Sequence, residues 1–301
     1  MPLRDSPLQF LRGFAMGSAD IVPGVSGGTV ALVLGIYERL LTNIGTAARA
    51  VRDLLRGRVS SARARIVEVE WLWLATLLIG IMAAIVTLSA VLEGLLHDHP
   101  VPTAGVFFGL VAASTTVAWR EIRDPARAHI VMAGSIAVIT FVILGLRSAT
   151  EATGEEVVTR EWWVFTLAGA VAICAMILPG VSGSFLLVMI GMYTEVLGAV
   201  NDRDVIALAA TAVGCAVGLG VFSTVLNRML ELHHDLVLAA MVGLMVGSLR
   251  VLWPWPAGTE TTDIAAPEGQ VLLTVSVGVA AAIVVIAVDA AVRRGSRRSA
   301  G

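Results

Sequence analysis

Long uncharged apolar runs separated by short polar segments dominate the chain. A bilayer core of about 30 Å is crossed by ~20 residues of helix, and several runs approach or exceed that length. The pattern therefore predicts an all-α polytopic membrane protein. Uncharged runs lie at 71–92, 101–119, 130–146, 205–227 and 271–288, and 236–253 joins them if Arg250 is accepted inside the membrane.

A five-residue phrase interrupts the apolar pattern twice. Pro-Gly-Val-Ser-Gly occupies positions 23–27 and again positions 179–183, at an offset of 156 residues. A Pro-Gly pair breaks a helix, so each copy separates two apolar arms. Broken helices at equivalent positions of a repeat are the usual sequence sign of a transporter's binding site. The arms lie at 8–19 and 29–41 in the first half and at 162–178 and 185–200 in the second, and Gly35, Tyr37 and Leu41 recur as Gly191, Tyr193 and Leu197.

Composition agrees with a membrane protein and excludes several other classes. Apolar residues make up 57% of the chain and charged residues 15%, with a net charge of −2, so no nucleic-acid partner is expected. Cys174 and Cys215 both lie in apolar runs without metal-site or disulfide spacing and are interpreted as packing residues. No cofactor or metal is predicted. Arg12 and Asp20 interrupt the first apolar stretch, which argues against a secretory signal.

The distribution of arginines predicts the orientation of the segments. If each broken segment is a re-entrant hairpin followed by three crossings, one face receives fifteen arginines and the other three, so the first face and both termini are cytoplasmic. After three crossings the chain lies on the opposite face, so the second hairpin enters the membrane from the side opposite to the first. The two halves therefore form an inverted repeat. The alternative is that each broken segment crosses once, which makes the halves parallel but places the N-terminus and the arginine-rich connection 46–70 on opposite faces. The fifteen arginines lie in the N-terminus, 46–70, 120–127, 227–235 and the C-terminal tail.

Two repeats are predicted, at 1–150 and 151–301. A second set of matches, at an offset of 134, supports the duplication, and small residues spaced four apart suit close helix contact in lipid. The matches are Gly109, Leu110, Ser114 and Trp119 with Gly243, Leu244, Ser248 and Trp253, and the small pairs are Gly105/Gly109, Gly214/Gly218 and Gly243/Gly247. The first repeat is expected to hold a hairpin at about 8–45 and helices at about 71–92, 101–119 and 128–147, and the second a hairpin at about 162–200 and helices at about 205–227, 235–253 and 271–292.

The chemistry of the two loops predicts an anion site. Backbone N–H groups at the start of the following half-helix have no partner within it, and the helix dipole adds positive charge there. Phosphate groups commonly bind at such a helix N-terminus, and Ser26 and Thr29 add hydroxyl groups that can donate hydrogen bonds. The alternative is that each loop only turns a hairpin and is satisfied by neighbouring helices. The predicted phosphate ligands are Gly24, Ser26, Gly27, Gly28, Thr29, Gly180, Ser182, Gly183 and Ser184.

Charged residues inside or at the ends of apolar segments are functional candidates, here for coupling or gating. They are Arg12, Asp20, Glu38, Arg39 and Glu195. For Arg12, Glu38, Arg39 and Arg250 the alternative is snorkelling to a nearby interface. For Asp20 the alternative is capping of the loop's own N–H groups. The histidines, including His233 and His234, fall at loop edges, and a solvated role is expected for them.

Five motifs together are characteristic of one family: Arg12–Gly17, Asp20-Ile21-Val22-Pro23-Gly24-Val25-Ser26-Gly27-Gly28-Thr29, Gly35–Leu40, Leu178–Ser184 with Gly191–Tyr193, and Gly247–Arg250 followed by Trp253-Pro254. These motifs resemble the bacterial polyprenyl-phosphate translocases over nearly the whole chain. The resemblance implies a transporter in the bacterial cytoplasmic membrane that returns undecaprenyl phosphate from the outer to the inner leaflet for reuse in cell-wall synthesis. Under this interpretation Asp20, Glu38 or Glu195 carries a proton, and Arg250 captures the phosphate near the outer face.

Two other functions remain as alternatives. Polyprenyl-diphosphate phosphatases also have repeated re-entrant segments with a Pro-Gly-x-Ser phrase, but in them an arginine follows the serine. Here Gly27 and Gly183 stand at that place, so an enzyme is disfavoured. A small-anion transporter or channel could use the same paired helix ends, and it differs from a lipid flippase in needing no groove open to the bilayer.

Overall fold

The computed structural model describes residues 6–21, 25–146, 161–183, 186–187, 190–261 and 263–299, and these form eleven α-helices and no strand. The all-α prediction is confirmed, and five helices (α5, α6, α7, α10 and α11) are long and apolar enough to cross a membrane. The helices are α1 (Ser6–Asp20), α2 (Gly27–Val33), α3 (Tyr37–Leu55), α4 (Val59–Glu68), α5 (Trp71–Asp98), α6 (Pro100–Arg120), α7 (Arg127–Leu146), α8 (Trp162–Ile177), α9 (Tyr193–Asn201), α10 (Val205–Ser248) and α11 (Val271–Ser299).

Helix α10 consists of two arms joined at His233. The backbone of His233 is not helical, with φ −140° and ψ 48°. His99, which lies 134 residues earlier between α5 and α6, has nearly the same conformation, with φ −137° and ψ 55°. The first arm (205–232) therefore corresponds to α5, and the second arm (234–248) corresponds to α6. The predicted connection 227–235 contains this break but is shorter than expected, because the helix continues to residue 232 and only His233 is non-helical.

The packing within each half recurs at the two repeat offsets. Helix α1 packs along α5, and a side chain at Gly80 would overlap the Phe10 carbonyl. Helix α8 packs along the first arm of α10, and a side chain at Gly214 would overlap the Thr166 carbonyl. These two glycines are 134 residues apart, and their two partners are 156 residues apart. The helix contacts therefore follow the same two offsets as the sequence matches.

Helices of one half of the chain pack against helices of the other half, which we call helix exchange. Helix α6 of the first half packs along α11 of the second, with Gly109 against Gly278. The second arm of α10 packs along α7 of the first half, with Gly243 against Ala133. The pairs Gly105/Gly109 and Gly243/Gly247 lie at these two crossings, so close backbone approach explains their spacing.

Two predicted boundaries in the first half need correction. The apolar arm 29–41 is not one helix: α2 ends at Val33, and α3 begins at Tyr37. Gly35 causes the break by adopting a left-handed φ of +65°, as does its equivalent Gly191. The connection 46–70 is also not a loop, because it contains the end of α3 and all of α4. Arg65 on α4 donates to Oδ2 of Asp53 on α3 at 2.8 Å and holds the pKa of that carboxyl below its usual range.

Candidate functional site

The two broken segments meet each other in the fold. Ser26 Oγ donates a hydrogen bond to the Met176 carbonyl at 3.0 Å, and the Gly180 N–H donates to Thr29 Oγ1 at 3.0 Å. Tyr37 follows the first segment, and its hydroxyl donates to the Ile177 carbonyl at 3.0 Å. The structure thus brings the two Pro-Gly segments into direct contact, although they lie in different halves of the sequence.

The first loop is capped by its own side chains. Ser26 has an extended backbone, and its Oγ accepts from the Gly28 N–H at 3.1 Å, which makes it the N-cap of α2. The Gly27 N–H donates to Asp20 Oδ1 at 2.6 Å. Asp20 therefore caps one N–H group of the loop in this conformation, and its role in coupling stays a prediction. Two N–H groups proposed for phosphate therefore have protein partners in this conformation.

Close approach explains the glycines of the two segments. A Cβ on Gly28 would lie 2.8 Å from the Ile177 carbonyl oxygen, and one on Gly27 would lie 2.9 Å from Asp20 Oδ1. Gly180 has a left-handed φ of +84°, and a Cβ there would lie 2.6 Å from the Met245 Cα. These positions accept no side chain without movement of the neighbouring atoms. Gly24 and Ser184, also predicted as ligands, lie outside the described residues.

A cavity of about 270 Å³ lies beside the contact between the two segments. Its polar lining comes from both halves: Asp20 and Ser26 from the first, and Ser182 and Thr211 from the second. Apolar residues of α8 and α10 complete its walls, and Gly183 lines it as well. Several of the predicted ligands therefore lie around one space.

The other predicted residues lie away from this cavity. Arg250, at the end of α10, is not among its lining residues, and its guanidinium lies 4.7 Å from the centre of the Phe141 ring of α7. Arg39 forms an ion pair with Glu70 and lies over Trp73, and together with Asn43 it holds the pKa of Glu70 below its usual range. Arg12 on α1 donates to Gln9 Oε1 at 3.3 Å, and Glu195 is buried in the first turn of α9.

A second polar cluster surrounds the turn of α10. His234 Nε2 lies 3.0 Å from Glu38 Oε1, and His234 Nδ1 lies 2.9 Å from Asp235 Oδ1. The Asp235 carboxylate also accepts from the Arg123 and Asp124 N–H groups. The side chain of His234 is only 17% exposed, so the expectation of a solvated histidine is wrong. Glu38 and His234 line a polar cavity of about 520 Å³ together with Arg120 and Arg123.

Sequence reasoning missed Tyr37 and His234. Tyr37 was visible as the match of Tyr193, but the two differ in the structure: Tyr37 is 3% exposed and Tyr193 is 41% exposed. Only the position of α8 shows that the Tyr37 hydroxyl reaches the second Pro-Gly segment. The neighbours of His234 depend on the hairpin at His233, for which the sequence carries no glycine or proline signal.

Comparison with known proteins gives consistent matches. A family model described as undecaprenyl phosphate translocase-like matches residues 16–270. A polyprenyl-phosphate transporter of Vibrio cholerae serotype O1 is 39% identical over 247 residues, covering 82% of this chain and 77% of the relative. A polyprenyl-phosphate transporter of Staphylococcus aureus is 29% identical over 259 residues, covering 82% of this chain and 86% of the relative. No solved structure matches the chain.

Proposed function

Since the chain belongs to the undecaprenyl phosphate translocase-like family, we propose that it moves undecaprenyl phosphate from the outer to the inner leaflet of the bacterial cytoplasmic membrane. The observation that carries the proposal is the contact between the two broken segments beside a cavity with polar groups from both halves. A phosphate cannot cross bare hydrocarbon, because its desolvation costs far more than thermal energy. A polar site inside a multi-pass membrane protein removes most of that cost.

An inverted repeat places this site between the two leaflets. In support of it, the end of α6 lies beside the start of the second arm of α10, where the Arg123 N–H donates to Asp235 at 3.1 Å. The start of α6 lies beyond the other end of that arm, where Gly258 packs against Pro100. Both contacts support opposite directions for these equivalent helices. With the arginine distribution, this arrangement favours two re-entrant segments that enter from opposite faces and cytoplasmic termini.

In this proposal the Asp20 carboxylate competes with the phosphate for the same N–H donor. This carboxylate accepts from the Gly27 N–H, at the helix end that the sequence assigns to the anion. A phosphate monoester that enters the cavity displaces this carboxylate and takes its N–H donor. Protonation of Asp20 weakens the hydrogen bond that its carboxylate accepts from the Gly27 N–H, so this N–H becomes available to the phosphate. Loading of the headgroup and protonation of Asp20 are thereby linked.

Arg250 is proposed as the residue that first captures the phosphate. Among the described residues, no acceptor lies within hydrogen-bonding distance of its buried Nε. Its guanidinium is held over the Phe141 ring. An arginine with an unused donor suits a phosphate oxygen.

Transport in proteoliposomes tests the proposed function. We expect the purified protein to move a fluorescent polyprenyl phosphate between leaflets, measured by its accessibility to a quencher outside the vesicles. Phosphatidylglycerol with the same fluorophore serves as the control lipid and should not be moved. Release of inorganic phosphate from polyprenyl diphosphate would instead indicate a phosphatase. Sulfate or phosphate flux without lipid movement would indicate a small-anion pathway, and either result contradicts the proposal.

Proton coupling makes a separate prediction about the three carboxylates. An inside-negative potential opposes inward movement of an anion by about 2.3 kcal/mol per charge at 100 mV, and a co-transported proton removes this penalty. We therefore expect wild-type transport to accelerate as the external pH falls. At least one of Asp20→Asn, Glu38→Gln and Glu195→Gln should flatten this pH profile. Glu231→Gln, at an exposed ion pair with Arg228, is the control. Proton coupling through these carboxylates is excluded if all three variants keep the wild-type profile.

A further inference from the structure

An apolar crevice of about 340 Å³ lies among helices α1, α2, α5, α6 and α11. Leu88 and Leu92 of α5 and Phe107 and Leu110 of α6 form part of its walls. Val284 of α11 lies at the crevice and is 57% exposed, so the crevice opens to the surface that lipid covers. Almost the whole lining is hydrocarbon.

A second crevice, of about 470 Å³, lies between the two arms of α10. Phe222 and Leu226 of the first arm face Met241 and Leu244 of the second arm. Each of these four residues stands 134 positions after one of the four wall residues of the first crevice. Val225, at this crevice, is 49% exposed. The two crevices therefore have four wall positions of the repeat in common, although helices α1, α2 and α11 line only the first crevice.

The helical hairpins explain why the crevices exist. A single non-helical residue, His99 in one hairpin and His233 in the other, reverses the chain between two long helices. Each hairpin packs outward against helices on both sides: α5 on α1 and α6 on α11, and the arms of α10 on α8 and α7. The two arms of each hairpin are thereby drawn apart, and a wedge of apolar surface stays between them.

Each crevice also reaches one of the Pro-Gly segments. Val25 and Thr29 of the first segment line the first crevice, and Val25 lines the 270 Å³ polar cavity as well. Leu178, directly before Pro179, lines the second crevice. An amphipathic ligand with its charged end at the segments can therefore extend its apolar chain into either crevice.

We propose that these two crevices are binding sites for the isoprenoid tail of the substrate, one used from each leaflet. This inference rests on the proposed function. Opposite orientation of the equivalent hairpins places the two crevices in opposite halves of the membrane. The headgroup needs to move only across the contact between the two Pro-Gly segments. The tail leaves one crevice and enters the other. Burial of isoprene methyl and methylene groups contributes binding free energy at either side.

Photo-crosslinking of the wild-type protein tests the proposal. A polyprenyl phosphate with a diazirine in one of its first isoprene units is reconstituted with the protein, irradiated and mapped by mass spectrometry. We expect labels on both hairpins, at the walls of the crevices. Leu110→Trp should fill the first crevice and lower its labelling about tenfold, which corresponds to about 1.4 kcal/mol, while the second crevice stays labelled. Leu244→Trp, at the equivalent position, should do the reverse.

Exposed positions on the other arm of each hairpin provide matched controls. Ile79→Trp and Val213→Trp are also 134 positions apart, at residues 61% and 56% exposed, and should leave both labels unchanged. The proposal is overturned if labels spread over the exposed helix faces, or if a phosphatidylglycerol with a diazirine in its acyl chain labels the walls equally well. If the wild type moves polyprenyl phosphate but the crevices stay unlabelled, only this inference fails. If the wild type moves no polyprenyl phosphate, the proposed function itself fails.

Discussion

Replacement of Gly109 by alanine should destabilise the folded protein, whereas the same replacement at Gly94 should leave it unchanged or slightly more stable. A Cβ on Gly109 would overlap the Gly278 carbonyl, so α6 and α11 must separate to accept one methyl group. Overpacking of this kind costs about 1–3 kcal/mol. A Cβ on Gly94 would meet no atom within 4 Å, and alanine there gains up to about 1 kcal/mol of helix propensity.

The repeat supplies an internal check on this prediction. Gly243→Ala should destabilise in the same way, because a Cβ there would lie 2.5 Å from the Ala133 carbonyl oxygen. Gly134→Ala, on the neighbouring helix α7 with open space around it, is the control. Thermal unfolding in detergent, followed by tryptophan fluorescence, measures all four variants. Wild-type stability in both Gly109→Ala and Gly243→Ala would contradict the exchange of helices between the halves.

The repeated features could be predicted from the sequence because they rest on local signals. Pro-Gly phrases break helices, and the recurrence of Gly35 and Gly191 at the repeat offset is visible in the sequence, although the left-handed turn that these two glycines form is not. The long spans follow equally from uncharged runs of sufficient length. Each of these features depends on a few neighbouring residues, so one sequence was enough to find them.

Other features depend on contacts between distant residues and could not be predicted in this way. Helix α4 and the ion pair between Arg65 and Asp53 turn an arginine-rich connection into ordered structure. His234 lies beside Glu38, 196 residues away in the sequence, only because the chain reverses at His233. The packing of helices across the two halves also could not be predicted, because a stripe of small residues does not identify the helix that packs against it.

The two copies of the motif also contribute different groups to the site. The first supplies side chains, namely the Ser26 and Thr29 hydroxyls and the Asp20 carboxylate. To the hydrogen bonds between the segments the second supplies backbone groups, namely the Met176 carbonyl and the Gly180 N–H, while its Ser182 lines the cavity. The sequence predicts only that the first copy is the more polar one, because Met176 stands where the first copy has Asp20. Substitutions of side chains in the first copy should therefore affect the contact between the segments most directly.

Thr29→Val should abolish most transport while the protein still folds. Valine has nearly the shape of threonine but accepts no hydrogen bond, so the buried Gly180 N–H loses its partner. An unsatisfied buried group costs about 1–3 kcal/mol. If this cost falls on the transport barrier, the rate of polyprenyl phosphate movement decreases about tenfold to a hundredfold.

Thr29→Ser separates loss of the hydrogen bond from loss of packing. Serine keeps the hydroxyl and removes one methyl group, so it should retain a transport rate close to that of the wild type. Thr103→Val, which removes a hydrogen bond to the Leu95 carbonyl at the hairpin between α5 and α6, controls for the loss of a hydroxyl elsewhere. Equal transport by Thr29→Val and Thr29→Ser would show that the bond between the segments has no part in moving the lipid. Loss in the valine variant alone would show that transport requires the hydrogen bond between the two Pro-Gly segments, which joins the two halves of the repeat.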